Sequence, residues 1–211
     1  SRRGYRTPGG PAPLRESLAA AMLYAAGWHT SESKTLVDPF CGSGTLPIEA
    51  ALMATGRAPG LFRKHFGFMY WRGYRAALWQ RLCVQAQEQP AAVAGLSLKG
   101  FDADEQALRL ARANAERAGV TDLVHFGRRE LGLLGSRDFP AAGMVVTNPP
   151  WGERLEDRPR VLALHLALGR RMAELAHHWP LVVLGTDVEV LDRIGGELVE
   201  QSKLKNGAMN N

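Results

Sequence analysis

The sequence predicts an α/β fold with a doubly wound, mostly parallel sheet and helices on both faces. Short apolar runs, typical of buried strands, alternate with longer segments of helical periodicity. A loop with two glycines follows the first run and leads directly into a helix. Polar side chains close three of the runs, at the edge where such sheets bind their ligands.

The composition suits a single globular domain with an insertion. The chain has 211 residues, of which 45% are hydrophobic and 22% charged, which excludes a disordered chain. No apolar run approaches the ~20 residues of a membrane span, and the first residues lack the apolar core of a signal peptide. We therefore expect a soluble, cytoplasmic protein. The net charge of +5 permits an anionic partner without requiring one.

The first elements can be placed from apolar pattern and breakers. An Arg-, Gly- and Pro-rich arm over residues 1–13 precedes a helix over 14–26, which ends at Gly27. Leu36 and Val37 form the first strand, and a second helix runs through residues 48–53 after the loop.

An aromatic and basic segment, residues 57–90, interrupts this alternation and is interpreted as an insertion. One reading is an RNA surface, because arginines attract phosphates and aromatic rings stack on unpaired bases. The other is a hydrophobic cap over the sheet. In that reading most of four aromatic side chains pack inward: Phe62, Phe66, Phe68 and Trp71.

Alternation resumes after the insertion. A strand over residues 96–101 ends in Asp102, and a helix over 105–118 stops at Gly119. Further strands are predicted over 123–126, 144–147 and 181–184, with a helix over 160–177 between the last two.

The loop after the first strand has the chemistry of a cofactor site. Gly42 and Gly44 let the backbone approach a ligand closely. Their spacing lacks the third glycine of a dinucleotide site, and no Gly-Lys pair follows as in a phosphate loop. Asp38 would repel a pyrophosphate and attract a cation, which suits S-adenosylmethionine, a sulfonium and ammonium compound without phosphate. The alternative is a tight turn whose glycines serve geometry alone.

Two further acids are candidates for this ligand. Asp102 lies where a carboxylate accepts hydrogen bonds from ribose hydroxyls, or alternatively caps the next helix together with Asp104. Glu130 follows the third strand, where it could reach an adenine amino group; otherwise it is an ordinary surface glutamate. Cys41 and Cys83 have no zinc-ligand spacing, so we expect no metal.

The strongest motif is Asn148-Pro149-Pro150-Trp151, directly after the strand over 144–147. The two prolines stiffen the strand end and withhold N–H donors. The Asn148 side-chain oxygen and the Pro149 carbonyl can each accept one N–H of an exocyclic amine, while Trp151 offers a ring on which a base stacks. The motif therefore predicts catalysis mainly by positioning of an amine. The alternative is a Pro-rich turn with an exposed tryptophan.

The segment 38–45 together with 148–151 resembles the class I methyltransferases that modify exocyclic amino groups. Seven further segments make the resemblance more specific: residues 3–6, 12–20, 44–51, 58–60, 66–68, 151–155 and 205–209. They are similar to the THUMP-associated RNA guanine-N2 methyltransferases, and among these to the bacterial large-subunit rRNA enzymes. Trp151 departs from the tyrosine that many relatives carry, which preserves stacking and loses a hydroxyl.

The resemblance implies a Rossmann-like class I fold over residues 31–211, preceded by an arm and helix over 1–30 and apparently truncated at the C-terminus. It implies N2 methylation of a guanine in 23S rRNA, with S-adenosylmethionine as cofactor and a THUMP domain in the full-length protein. The implied catalytic residues are Asn148, Pro149, Pro150 and Trp151. The implied cofactor residues are Asp38, Phe40, Gly42, Gly44, Thr45, Asp102, Ala103, Glu130 and Asn148. RNA would be bound by a mobile arm with Arg3, Tyr5 and Arg6, and by Arg154.

Other acceptors stay open at this point. The Asn-Pro-Pro-aromatic motif also serves adenine N6, cytosine N4, tRNA guanine N2 and protein glutamine. A non-catalytic RNA-binding module with the same fold is a further alternative; it would bind RNA with a steep salt dependence and would not bind S-adenosylmethionine.

Overall fold

The computed structural model describes residues 3–6, 14–88, 93–140, 142–151, 157–185 and 188–196. Within them, five strands form one sheet in which every described pairing is parallel. The strands are β1 Thr35–Asp38, β2 Ser97–Asp102, β3 Val124–Arg128, β4 Met144–Thr147 and β5 Leu181–Val183. Their order in the sheet is β3-β2-β1-β4-β5. The predicted doubly wound parallel sheet is confirmed.

Six α-helices accompany the sheet in the described part of the chain. They are α1 Glu16–Ala25, α2 Thr45–Ala54, α3 Ala76–Gln87, α4 Glu105–Ala118, α5 Arg158–Leu175 and α6 Val188–Asp192. The bounds of α4 and β4 are those expected from the sequence, whereas α3 and α6 were not expected. None of these helices is both long and apolar enough to cross a membrane.

Two hydrophobic clusters cover the two faces of the sheet. Leu36 belongs to one cluster, with residues of α1, α2 and α4, and Val37 belongs to the other, with residues of α5. Neighbouring side chains of a strand point to opposite faces of the sheet, so the two clusters lie on opposite faces of β1. Both side chains are fully buried. Helices therefore lie on both faces, as predicted.

The strand order places a binding crevice between β1 and β4. The chain continues from β1 to β2 on one side of the sheet, while β4 and β5 lie on the other side. Ligands of doubly wound sheets bind at such a reversal, outside the carboxyl ends of the strands. The segments at this edge are the loop after Asp38, the turn after Asp102 and the motif that begins at Asn148.

The insertion packs mainly on itself. It comprises two 3-10 turns, Pro59–Phe62 and Gly67–Tyr70, followed by α3. Not one of its described residues, 57–88, is buried. The Phe66 and Phe68 rings stack at 5.2 Å, and the Trp79 ring meets both edge-on at 5.2 and 4.9 Å. The expected inward packing is wrong for Trp71, which is 73% exposed.

Candidate active site

A buried hydrogen bond ties the ends of β1 and β4 together. The Thr147 hydroxyl donates to Asp38 Oδ1 at 2.6 Å, and the two side chains are 0% and 1% exposed. The Phe40 N–H donates to the same oxygen at 3.1 Å. Because Asn148 directly follows Thr147, this bond fixes the start of the Asn-Pro-Pro-Trp motif against the glycine loop. Sequence reasoning missed Thr147; its only signal is a polar residue at a strand end beside an acid.

The electrostatics of Asp38 follow from its burial. Loss of solvation raises its pKa to about 7, although the hydrogen bonds from Thr147 and Phe40 act in the opposite direction. The neighbouring Asp102 carboxylate raises the pKa further. A ligand cation beside Asp38 would stabilise its ionised form, which agrees with the charge chemistry expected of this loop.

Asp102 supports the glycine loop. Its Oδ2 accepts the Gly42 N–H at 2.9 Å, and its Oδ1 accepts the Asp104 N–H at 2.9 Å. The cap of α4 is the Asp104 side chain, which accepts from Gln106 N. The alternative in which Asp102 itself caps the helix is therefore wrong. Each carboxylate oxygen keeps a lone pair, so Asp102 can still accept a ribose hydroxyl.

The two glycines of the loop have different roles. Both have positive φ, +51° at Gly42 and +79° at Gly44, a region that favours glycine. A Cβ on Gly44 would lie 2.7 Å from Phe126 Cζ and 2.9 Å from Ala111 Cβ. A Cβ on Gly42 would meet nothing within 4 Å. Gly44 thus serves packing, whereas Gly42 borders open space.

These residues fit S-adenosylmethionine. Gly42 leaves room above the loop, and the half-buried Asp102 keeps acceptor capacity for hydroxyl groups. Asp38 is buried beneath the loop, where its carboxylate would favour a cationic ligand through its charge. The loop segment 38–44 contains neither Lys nor Arg, which a phosphate-bearing ligand would favour. Its backbone is further held by Asn114 Nδ2, which donates to Ser43 O at 3.0 Å.

The remaining predicted cofactor residues surround this loop. Thr45 is buried at the start of α2, and Phe40 is half-buried against the cluster that includes α5. Ala103 is exposed, and its carbonyl accepts Arg128 Nε at 3.2 Å. Glu130 is exposed beyond the end of β3, where its side chain caps nothing. Contacts of these four residues with a cofactor stay predictions.

The Asn-Pro-Pro-Trp motif has an internal hydrogen bond. Trp151 Nε1 donates to Asn148 Oδ1 at 3.0 Å. An indole N–H can only donate, so the contact identifies the Asn148 atom as the oxygen and fixes the orientation of the amide. The oxygen keeps a second lone pair for another donor. Pro149 is buried and Pro150 exposed. This bond was not anticipated from the sequence.

Trp151 is supported from behind by α5. Its ring centroid lies 5.0 Å from that of His165, which is fully buried. His165 Nδ1 lies 2.8 Å from the Val161 carbonyl oxygen, so this nitrogen carries the proton and donates. The half-buried tryptophan is thus a fixed surface and not a freely exposed ring.

The expectation of a mobile N-terminal arm is wrong for Arg3, Tyr5 and Arg6. The Glu49 carboxylate on α2 binds both Arg3, at 2.8 Å, and the Tyr5 hydroxyl, at 2.9 Å. Tyr5 is 1% exposed. Arg6 donates to the Leu14 carbonyl at 3.0 Å and reaches Ser43 Oγ in the glycine loop at 3.5 Å. Their RNA-binding role stays a prediction, and Arg154 lies outside the described residues.

Strand order, loop and motif together define a class I methyltransferase fold. The chain belongs to the family UPF0020, RMKL-like, methyltransferase domain, whose model matches residues 3–211. It is 54% identical over its full length to a ribosomal RNA large subunit methyltransferase K/L of Alcanivorax borkumensis. It is 42% identical, over 98% of its length, to one of Shewanella amazonensis. The chain spans about 30% of the length of these relatives.

Solved structures agree with this assignment. SMU.472, named as a methyltransferase and complexed with SAH, matches 98% of the chain with a TM-score of 0.85 and 35% identity. A Listeria monocytogenes protein named as a predicted N6-adenine-specific DNA methylase matches 96%, with a TM-score of 0.81 and 34% identity. The chain covers 52% of each. The predicted fold class is confirmed, and so is the predicted cofactor at the level of the family.

Proposed function

We propose that this chain is the catalytic domain of an S-adenosylmethionine-dependent RNA methyltransferase that acts on the exocyclic N2 of a guanine in large-subunit rRNA. The family membership and the names of the relatives support an rRNA substrate. The Asn-Pro-Pro-Trp motif supports an exocyclic amine as acceptor. We expect a THUMP domain elsewhere in the full-length protein to contribute RNA targeting.

The proposal rests on one observation above all, the 2.6 Å hydrogen bond between Thr147 and Asp38. It joins the loop assigned to the cofactor with the motif assigned to the acceptor, so that the two ligands would meet at the same crevice. Effective catalysis by positioning requires this kind of fixed relation between two binding sites.

The acceptor side can be described atom by atom. Asn148 Oδ1, already bonded to Trp151, has one lone pair left for an amine N–H, and the Pro149 carbonyl can accept the second. With both N–H groups hydrogen-bonded to these acceptors, the lone pair of the nitrogen is left free to face a methyl donor. Trp151 supports the base by stacking. When bound, S-adenosylmethionine would supply the methyl group from its sulfonium and would leave as S-adenosylhomocysteine. The methylated amine would then lose one proton to solvent, for which no dedicated base is required.

Methyl transfer to unmodified bacterial rRNA tests this function. The product RNA is digested, and its methylated nucleosides are identified by mass after incubation with labelled S-adenosylmethionine. N2-methylguanosine is the expected product. A methyl group on a ring nitrogen or on another base would contradict the acceptor assignment. Failure to bind S-adenosylmethionine in a calorimeter would leave the non-catalytic RNA-binding alternative.

A second candidate acceptor is adenine N6. The Listeria monocytogenes relative, 34% identical to this chain, is named for that specificity, and adenine presents an exocyclic amine of the same shape to the motif. The same digestion distinguishes the two, because N6-methyladenosine and N2-methylguanosine differ in mass and retention.

A further inference from the structure

The insertion carries the whole charge excess of the chain. Residues 57–88 contain six of the 26 basic residues and one of the 21 acidic residues, so the remainder of the chain holds twenty of each. A net charge of +5 concentrated on one segment of a neutral domain creates a local positive field that attracts polyanions.

The cations of this segment are available to a ligand. Among the described residues, no carboxylate lies within 4.0 Å of Lys64, Arg72 or Arg75, all of which are exposed. Arg63 is held differently, with its guanidinium 4.8 Å from the centre of the Phe66 ring. Uncompensated arginines on a short segment repel one another unless an anion is bound there.

Aromatic rings accompany these cations at the surface. Tyr70 and Trp71 are 83% and 73% exposed, and Arg72 follows them directly. Neither ring contributes to the self-packed group of Phe66, Phe68 and Trp79, so internal packing does not explain them. Exposed rings beside arginines are the combination that binds unpaired bases and their phosphates.

The insertion is rooted away from the catalytic crevice. It follows the C-terminal end of α2, which begins at the crevice and runs back along the sheet. Arg57, at the start of the insertion, donates to the carbonyls of Ala118 at 3.0 Å and Gly119 at 2.7 Å, where α4 also ends. The anchor thus lies near the edge opposite the strand ends that carry Asp38 and Asn148.

We propose that residues 57–88 form a second RNA-binding surface, which holds unpaired RNA through Tyr70, Trp71, Arg72 and Arg75 at a distance from the base that is modified. The inference rests on the proposed function only for the identity of the polyanion as RNA. The alternative occupant, a protein on the exposed Leu78, Leu82 and Val84 side chains of α3, explains neither the charge nor the two exposed rings.

Binding of a fluorescein-labelled, short single-stranded RNA of mixed sequence, followed by anisotropy, tests the surface directly. Trp71→Ala should weaken binding about tenfold, the loss of one stacked base. Arg72→Ala combined with Arg75→Ala should lower the salt slope by about 1.4, since each lost contact with a single strand removes ~0.7. The same sequence in a duplex should bind more weakly, because its bases are not free to stack.

Arg109→Ala combined with Arg117→Ala is the matched control, since it removes two exposed arginines from α4 and leaves the insertion intact. This control should still bind the single-stranded RNA more tightly than the duplex, because Tyr70 and Trp71 are unchanged. Equal losses in both double variants, or unchanged binding by Trp71→Ala, would overturn the proposal. So would RNA binding that survives every insertion variant.

Calorimetry with S-adenosylmethionine separates this proposal from the proposed function. The insertion variants should bind the cofactor like the unchanged chain, and Trp71→Ala should raise KM about tenfold with kcat unchanged. If the unchanged protein binds RNA through the insertion but does not bind the cofactor, only the proposed function is contradicted. If Trp71→Ala methylates RNA with the same KM as the unchanged protein, only the second surface is contradicted.

Discussion

The crevice at the strand ends and the insertion of residues 57–88 differ in how firmly their side chains are held. At the crevice, Asp38 and Thr147 are buried and bonded to each other, and Trp151 is fixed by Asn148 and His165. In the insertion no described residue is buried, and Tyr70 and Trp71 project into solvent.

The difference separates two tasks. Reacting groups need fixed geometry, which burial and hydrogen bonds between side chains provide at the crevice. Capture of a flexible polyanion needs accessible charge and rings, which the insertion provides without help from the core. Substitutions in the first region should therefore affect chemistry and folding together, whereas those in the second should affect RNA affinity alone.

The largest effect is expected at Asn148. Asn148→Ala removes the side-chain acceptor for the amine and should lower the rate of methyl transfer about 100-fold or more, because the acceptor nitrogen is no longer oriented. Affinity for S-adenosylmethionine is measured as well, because Asn148 is also expected at the cofactor; a change within about twofold assigns the lost rate to the acceptor amine. Single-turnover transfer and calorimetry measure the two quantities. A normal rate would show that the crevice does not position the amine.

The two glycines of the loop sharpen the comparison within the crevice. Gly44→Ala adds a Cβ against Phe126 and Ala111 at positive φ and should lower the free energy of unfolding by about 3 kcal/mol. Gly42→Ala meets open space, so its cost should be about 1 kcal/mol, from backbone strain alone. Urea unfolding measures both. Equal losses would show that packing beneath Gly44 contributes nothing.

Asp38 should make stability depend on pH. Its folded pKa of about 7 exceeds the ordinary aspartate value of 3.8, so the folded state binds the proton more tightly than the unfolded state. The contribution of Asp38 to the free energy of unfolding is then fully present below about pH 3.8 and is lost as the pH rises towards 7. Asp38→Asn, which keeps an acceptor for Thr147, should flatten this fall in urea titrations. Glu49, whose pKa burial also raises, would supply a remaining slope in the same direction.

The smallest effect is expected from the indole N–H of Trp151. Trp151→Phe keeps a ring for stacking and removes the hydrogen bond that orients Asn148, so kcat should fall about fivefold. Trp71→Phe is the matched replacement in the insertion, where a ring is kept and no contact with the motif is lost; its kcat should not change. Steady-state kinetics on rRNA compares the two. Identical kcat values would mean that the indole bond does not contribute.

Local pattern sufficed for much of the fold. Apolar runs and glycine stops located the strands and gave the bounds of α4, whose cap at Asp104 and stop at Gly119 are local signals. The short α6 has no comparable signal and was missed. Helix α3 was missed too, because the aromatic and basic residues around it were interpreted as an insertion without regular structure. The loop glycines and the Asn-Pro-Pro-Trp motif were also recognisable, because their spacing along the chain is their signature.

Contacts between distant segments could not be predicted. Thr147 and Asp38 are 109 positions apart and meet only through the strand order. Burial of Tyr5 against Glu49 depends on how the arm crosses α2, which periodicity does not encode. The exposure of Trp71 could not be predicted either, since a run of aromatic residues usually indicates side chains buried in the hydrophobic core.

The contact of Arg3 and Tyr5 with Glu49 has a consequence for exchanging this module between proteins. These residues precede α1, yet they neutralise and hydrogen-bond a carboxylate inside the fold. A graft that starts at α1 would leave Glu49 buried without its partners, a loss of ~3–5 kcal/mol for a broken buried pair. The transplantable unit therefore begins at Arg3, so a chimera must carry these few residues along with the methyltransferase fold.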